Sequence, residues 1–220
     1  MTPHRPGVVA FDVVETLFSL APVEEALRPL AVPRPLFFTR LLRDGFALSA
    51  AGGHQPFREV AASALRALAP GSEDAEQQAV LDAFGHLPAL PDAAPAFERL
   101  VDAGIRVVTL TNGGADTTGR LLASAGLDRH VDRVISVDEV GRWKPAAEPY
   151  LHAASLLGRP PAEVALVAVH AWDVHGARRA GLVTAWCARS EGTFPEIFER
   201  PDVTGADLVE VADGLLRLPS

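Results

Sequence analysis

A single cysteine, Cys187, is all the thiol the 220-residue sequence contains, so no internal disulfide can form. That scarcity fits a reducing compartment, and the surrounding VTAWCAR reads as a buried strand rather than a reactive site. No apolar run approaches the roughly 20 residues that a membrane span needs. The opening MTPHRPGVV leads directly into a core strand rather than a signal peptide, so the expected location is cytoplasmic. Basic residues are in the minority, with 20 Lys and Arg against 28 Asp and Glu, a formal net charge of -8. No basic patch stands out, which argues against a general nucleic-acid surface. Attraction of a small anionic substrate then falls to a few local arginines and the lysine. Internal repeats and long low-complexity tracts are also missing.

Hydrophobic residues make up 48% of the chain, enough for the core of one ordinary domain plus a smaller insert. Val8 to Phe11 form a short apolar run suited to a strand buried on both faces. Asp12 stands at its carboxyl end, where open parallel sheets keep their ligand crevice, and is a candidate nucleophile. Taken alone, an Asp in that place also suits a turn or a helix cap. Helical spacing follows in Val23, Leu27 and Leu30, then after Pro33 and Pro35 in Leu36, Phe37, Leu41 and Leu42. Further helices are expected over 57–69 and 73–87. With no strand pattern in 19–90, that stretch reads as an inserted helical cap, leaving 1–18 and 91–220 as the core domain.

From Pro91 onward strands and helices alternate, the signature of a parallel sheet wrapped by crossover helices. The expected strands are IRVVTL, VDRVISV, VALVAV, VTAWCA and, as the sixth, ADLVEV. Helices are expected over 92–103, 117–125 and 146–157, with a short one at HGARRAG. TNGG, residues 111–114, ends a strand and opens a helix, where a hydroxyl and loop amides form an anion cradle. Lys144 precedes a proline at a strand-to-helix junction; an ammonium near Asp12 would keep the carboxylate ionised and nucleophilic.

FDVVETLF, TNGG, GRWKPAAEPY and VAVHAWDVHGA, in that order, resemble the four motifs of the haloacid dehalogenase (HAD) superfamily, and most closely its (S)-2-haloacid dehalogenase branch. The resemblance implies an α/β, Rossmann-like three-layer parallel-sheet core with an inserted helical cap. It assigns Asp12 as nucleophile, with Thr16, Thr111 and Asn112 holding the reacting groups and the substrate's anionic group. Lys144, with Tyr150 six residues later, matches the branch in spacing, and Asp173 would orient the lysine. TRLLRDGF resembles the cap segment whose arginine binds the substrate carboxylate; aligning its aromatic with Phe46 selects Arg40 over Arg43. Leu41 and Phe57 are candidate walls for halide and alkyl groups. His175 reads as a helix-surface residue.

Two departures stand out: Glu15 replaces the usual glycine, and His170 stands where familiar branch members carry asparagine. A glutamate-histidine pair, with the imidazole neutral near pH 7, is suited to taking a proton from hydrolytic water. Val14 and Val169 occupy positions where phosphatases carry the general-acid aspartate and a metal-binding aspartate. The resemblance therefore implies metal-independent hydrolysis of short L-2-haloalkanoic acids through an aspartyl ester, with no cofactor and with homodimerisation as a family tendency. The alternatives are a phosphatase acting on a small phosphomonoester and a non-catalytic binding protein of the same fold. Neither a nucleic-acid nor a membrane partner is expected.

Overall fold

The computed structural model describes residues 3–220. Strand β1, Val8–Phe11, is buried along its whole length. Val9 and Phe11 join the apolar cluster on one face of the sheet, and Val8 and Ala10 the cluster on the other. The strand's twofold alternation thus feeds two buried layers rather than one.

Five helices lie between β1 and the next strand, and the first four form the insertion: α1 (Ala21–Leu27), α2 (Arg34–Ala50), α3 (Phe57–Leu68) and α4 (Asp74–Ala83). They pack around Phe37, Leu41, Val60, Ala64, Leu65 and Val80, all buried. Where the chain leaves and re-enters the sheet, its two connections are tied together: Ser19 N donates to Pro88 O and Leu90 N to Leu17 O.

The alternating part then runs α5 (Ala93–Asp102), β2 (Arg106–Thr111), α6 (Ala115–Ser124), β3 (Val131–Ser136), α7 (Ala147–Leu156), β4 (Val164–Ala168), α8 (Ala171–Arg179), β5 (Val183–Cys187), β6 (Val203–Gly205) and α9 (Leu208–Leu216). The six parallel strands lie in the order β3-β2-β1-β4-β5-β6. Helices α5, α6 and α9 contribute to the Val9 and Phe11 face, and α7 and α8 to the opposite one, giving three layers. Strand order reverses between β1 and β4, and the crevice outside their carboxyl ends is where such sheets bind ligands. Cys187 is buried in β5, as its setting suggested.

Two elements differ from the sequence expectation. ADLVEV is not a strand: β6 is the preceding Val203–Gly205, and the apolar residues form the start of α9. Asp207 caps this helix by accepting from Glu210 N at 2.8 Å, while Glu210 accepts from Ala206 N at 2.9 Å. With that cap in place Leu208, Val211, Ala212 and Leu215 fall on one buried face, so helical spacing overrides the short β-like run. The helix expected at HGARRAG begins four residues earlier, at Ala171, which puts Asp173 in its first turn. Among the described residues no helix is long and apolar enough to cross a membrane.

Candidate active site

Three strand ends supply the site. Asp12 follows β1, Thr111 ends β2, and His170 follows β4 and leads into α8. Asp12 is buried, and both its oxygens are occupied by donors. Oδ1 lies 3.0 Å from Lys144 Nζ; Oδ2 accepts from Thr16 Oγ1 at 2.8 Å and lies 3.3 Å from His170 Nδ1. Burial alone would raise the Asp12 carboxyl, but the Lys144 charge and the His170 contacts outweigh it and hold Asp12 well below the usual carboxylate range. The group is therefore ionised at any ordinary pH.

Lys144 has no solvent exposure, and its ammonium also donates to Asp173 Oδ2 at 2.6 Å and to Leu110 O at 2.8 Å. Burial would lower its pKa, yet Asp12 and Asp173 together raise it, so the lysine stays charged. Tyr150 donates to Asp173 Oδ1 at 2.5 Å from full burial, and burial with the Asp173 charge drives its phenol well above its ordinary pKa. Gly176 completes this corner, because a Cβ there would stand 2.6 Å from Pro145 and 2.7 Å from the Tyr150 hydroxyl. Asn112 holds the Lys144 backbone: its Oδ1 accepts from Lys144 N at 2.9 Å. Thr111 Oγ1 accepts from Gly113 N at 2.9 Å and shapes the loop that opens α6.

The two departures meet here. His170 Nε2 lies 3.1 Å from Glu15 Oε2, and Arg34 Nη1 donates to Glu15 Oε1 at 2.6 Å. Asp12, His170, Glu15 and Arg34 thus form a continuous polar chain across the front of the sheet. Glu15 adopts φ 64°, a left-handed conformation that explains why glycine suits the position and why a glutamate there must be held by its partners. The His170 ring stacks on Trp172 at 5.3 Å, with Phe38 at 6.3 Å on α2.

The charge state of His170 corrects the neutral imidazole expected from sequence. Burial would lower its pKa, but hydrogen bonds to and charges on Asp12 and Glu15 push it up to about 10. In the resting protein it is an imidazolium. Glu15, although burial opposes ionisation, is held below its ordinary pKa by His170 and Arg34.

Several expected binding residues are placed differently. Arg40 pairs with Asp44 at 2.8 Å and lines neither the chamber at Asp12 nor the cavity outside it. At about 100° per residue it lies far round α2 from Phe38 and Leu42, which do face Asp12. Arg43 reaches the outer cavity, but it is largely exposed and also bound to Asp44. Tyr150 and Thr16 are fully buried and touch Asp173 and Asp12 respectively, so they position charged groups rather than line the chamber. Of the two expected cap walls, Phe57 lines the chamber; Leu41 lies in the cap core and its neighbour Leu42 takes the wall.

Arg34, Phe38 and Trp172 carry parts of the site that sequence reasoning did not assign. Arg34 sits between two prolines that read as a break, and nothing local marks it as a partner of Glu15. Val14 lines the chamber with two methyl groups and no ionisable atom, and Val169 is buried with its amide donating to Thr16 Oγ1 at 3.2 Å. Among the described residues no group of three His, Cys, Asp or Glu side chains is arranged to hold a metal ion.

The model of a hydrolase family, the haloacid dehalogenase-like hydrolases, matches residues 7–181. The chain belongs to this family. A curated relative, the (S)-2-haloacid dehalogenase of Pseudomonas putida, is 26% identical over 94% of this chain and 96% of its own. The solved structure of the L-2-haloacid dehalogenase of Xanthobacter autotrophicus matches with a TM-score of 0.83 at 26% identity, covering 96% of this chain and 98% of that one. The structure of the same enzyme with chloropropionic acid covalently bound matches with a TM-score of 0.84. These neighbours place the chain on the L-2-haloacid dehalogenase branch of the haloacid dehalogenase-like hydrolases, with the six-stranded core and helical insertion that the fold displays.

Proposed function

We propose that this protein hydrolyses the carbon–halogen bond of L-2-haloalkanoic acids, the short ones among them, through an ester on Asp12. The observation that carries the reading is the environment of that carboxylate: ionised, buried, 3.0 Å from Lys144, and faced by Val14 where a phosphatase needs an acid. The covalent chloropropionic acid in the Xanthobacter enzyme supports the same chemistry.

An Asp12 oxygen attacks C2, the new C–O bond forms as the C–X bond breaks, and the halide leaves with the bonding pair. A halide needs no proton, so the missing acid at Val14 costs nothing. Esterification removes the Asp12 charge, one of the two anions that hold the His170 proton, and burial then favours the neutral ring. His170 releases that proton and becomes the base, with Glu15 fixing its tautomer and Arg34 fixing Glu15. Water attacks the ester carbonyl as His170 takes its proton. The tetrahedral intermediate expels the 2-hydroxyacid oxygen, which takes the proton of the re-formed Asp12 carboxyl. The cycle consumes one water and yields hydroxyacid, halide and one proton. Residues 19–90 serve as the cap that shuts bulk water away from this sequence of steps.

The test is halide release from a panel of L-2-chloropropionate, D-2-chloropropionate and haloacetates, run beside p-nitrophenyl phosphate with and without magnesium. Halide release from the L acid that persists in excess chelator is the expected result. Phosphate release that requires magnesium, with no halide from any acid, would replace this reading with the phosphatase one.

A further inference from the structure

We infer that the enzyme accepts 2-haloacids whose C2 substituent carries an aromatic ring, and that the ring lies in the cavity in front of α2, against Phe38, Phe46 and Trp172. The inference rests on the dehalogenation proposed above and names a substrate class beyond the short acids. The chamber at Asp12 measures about 20 Å³, room for roughly one water molecule. A haloacid attacked at C2 there must send its two arms, the carboxylate and the C2 substituent, out of the chamber in different directions.

The chamber borders two larger spaces of different chemistry. Toward α6 it shares Thr111 and Gly113 with a cavity of about 370 Å³ that carries Arg58, His86 and Arg120 and reaches the first turn of that helix at Thr117. The acids of this cavity are taken, Asp82 by Arg58 at 2.9 Å and Asp138 by His54 at 3.0 Å. Basic side chains and the amino end of a helix suit the anionic arm. Toward α2 lies a cavity of about 570 Å³, and four rings run into it from the chamber as one wall. Phe38 stands 6.3 Å from His170 between ring centroids, His170 5.3 Å from Trp172, and Trp172 4.9 Å from Phe46. The first three border both spaces, and Phe46 borders the outer cavity but not the chamber. Rings at such separations gain energy beyond the area they bury. The charged groups of the outer cavity are already held: Arg34 by Glu15 at 2.6 Å, Arg43 by Asp44 at 2.7 Å, and Glu191 by the Ala171 amide, which donates to it at 3.1 Å. Its cations, His170 among them, are attracted to the face of an aromatic ring and gain nothing from a saturated one. The lining therefore favours an aryl group over an alkyl group of the same bulk.

The experiment measures kcat/KM for the L enantiomers of 2-bromopropionate, 2-bromo-3-phenylpropionate and 2-bromo-3-cyclohexylpropionate. The phenyl acid should exceed the cyclohexyl acid by roughly fivefold and 2-bromopropionate by at least about tenfold. Phe46→Leu removes a ring while keeping an apolar side chain, and should at least halve the phenyl preference while leaving 2-bromopropionate turnover unchanged. A phenyl acid no better than the cyclohexyl one, or a preference that Phe46→Leu leaves intact, overturns the inference and leaves dehalogenation standing. Should no acid lose halide, the reaction reading fails, and calorimetry still judges the cavity. 3-Phenylpropionate binding tighter than 3-cyclohexylpropionate, with the difference reduced in Phe46→Leu, supports it; equal binding, or a difference intact in that variant, overturns it.

Discussion

Asp12 carries one negative charge, and two cations stand against it from opposite sides, Lys144 at 3.0 Å and His170 at 3.3 Å. In the mechanism proposed above, their tasks divide by what esterification would do to each. Lys144 keeps a second buried anion, Asp173, and so stays protonated throughout; His170 keeps only Glu15, whose charge is shared with Arg34. His170→Ala should therefore release about one halide per active site and then stall, with mass spectrometry showing the acid esterified to Asp12. Loss of even the first halide would put His170 ahead of ester formation. The arginines separate by position. Arg40→Ala, on the far side of α2, should change KM by less than about twofold, since Arg40 lines neither the chamber nor the cavity outside it. Arg34→Ala frees Glu15 and should slow ester hydrolysis more than halide release, as single-turnover kinetics would record. An Arg40→Ala effect larger than that of Arg34→Ala would reverse this assignment.

Elements place these side chains, and each does so through a local rule. β1 ends at Phe11 so that Asp12 clears the sheet; its backbone N still donates to Val167 O at 3.0 Å, which fixes the direction in which the carboxylate leaves. α8 begins at Ala171, so Asp173 and Gly176 lie in its first two turns, one meeting Lys144 and the other admitting Tyr150. The AWDVHGA pattern is legible as sequence because a helix must bring those two positions to one face. At the end of the chain the ADLVEV run misleads, since the capping aspartate decides between strand and helix. Asp207→Ala should lower stability by about 1 kcal/mol, roughly 2–4 °C in Tm for a chain of this size. Calorimetry showing no change would mean that burial of Leu208 and Leu215 alone sets the start of α9.

At the scale of the molecule, the cap and the core meet across tight contacts and share the charge cluster. Gly45 of α2 lies so close to Trp143 that a Cβ would stand 2.4 Å from its ring, and the Trp143 indole N–H donates to Gln55 O at 3.0 Å. The cap is thus pressed against the segment that carries Lys144. The buried cluster also ties stability to pH. The His170 pKa rises from 6.5 to about 10 on folding, so its contribution is fully present below pH 6.5 and is lost as pH rises through 10. Between those values Tm should fall by an amount equivalent to a few kcal/mol, and His170→Gln should flatten the decline. An identical slope in His170→Gln would mean that other groups govern the alkaline limb.

Sequence alone determined the order of the four motifs, the strand that ends in Asp12, and the helical insertion before the alternating half. These are carried by short-range patterns: apolar runs, glycine stops and helical spacing. The chain's only lysine and only tyrosine both lie in the candidate site, Lys144 against Asp12 and Tyr150 against Asp173. What tertiary structure decided were the partnerships between distant residues. Arg34 reaches Glu15 only because the cap folds back over the sheet, and Arg40 turns away only because Phe38 and Leu42 take the inner face of α2. The charge on His170 was likewise unreadable in one dimension. It depends on two carboxylates, from Asp12 and Glu15, more than 150 residues earlier in the chain, brought within 3.3 Å by strand order, and on burial that strengthens both contacts.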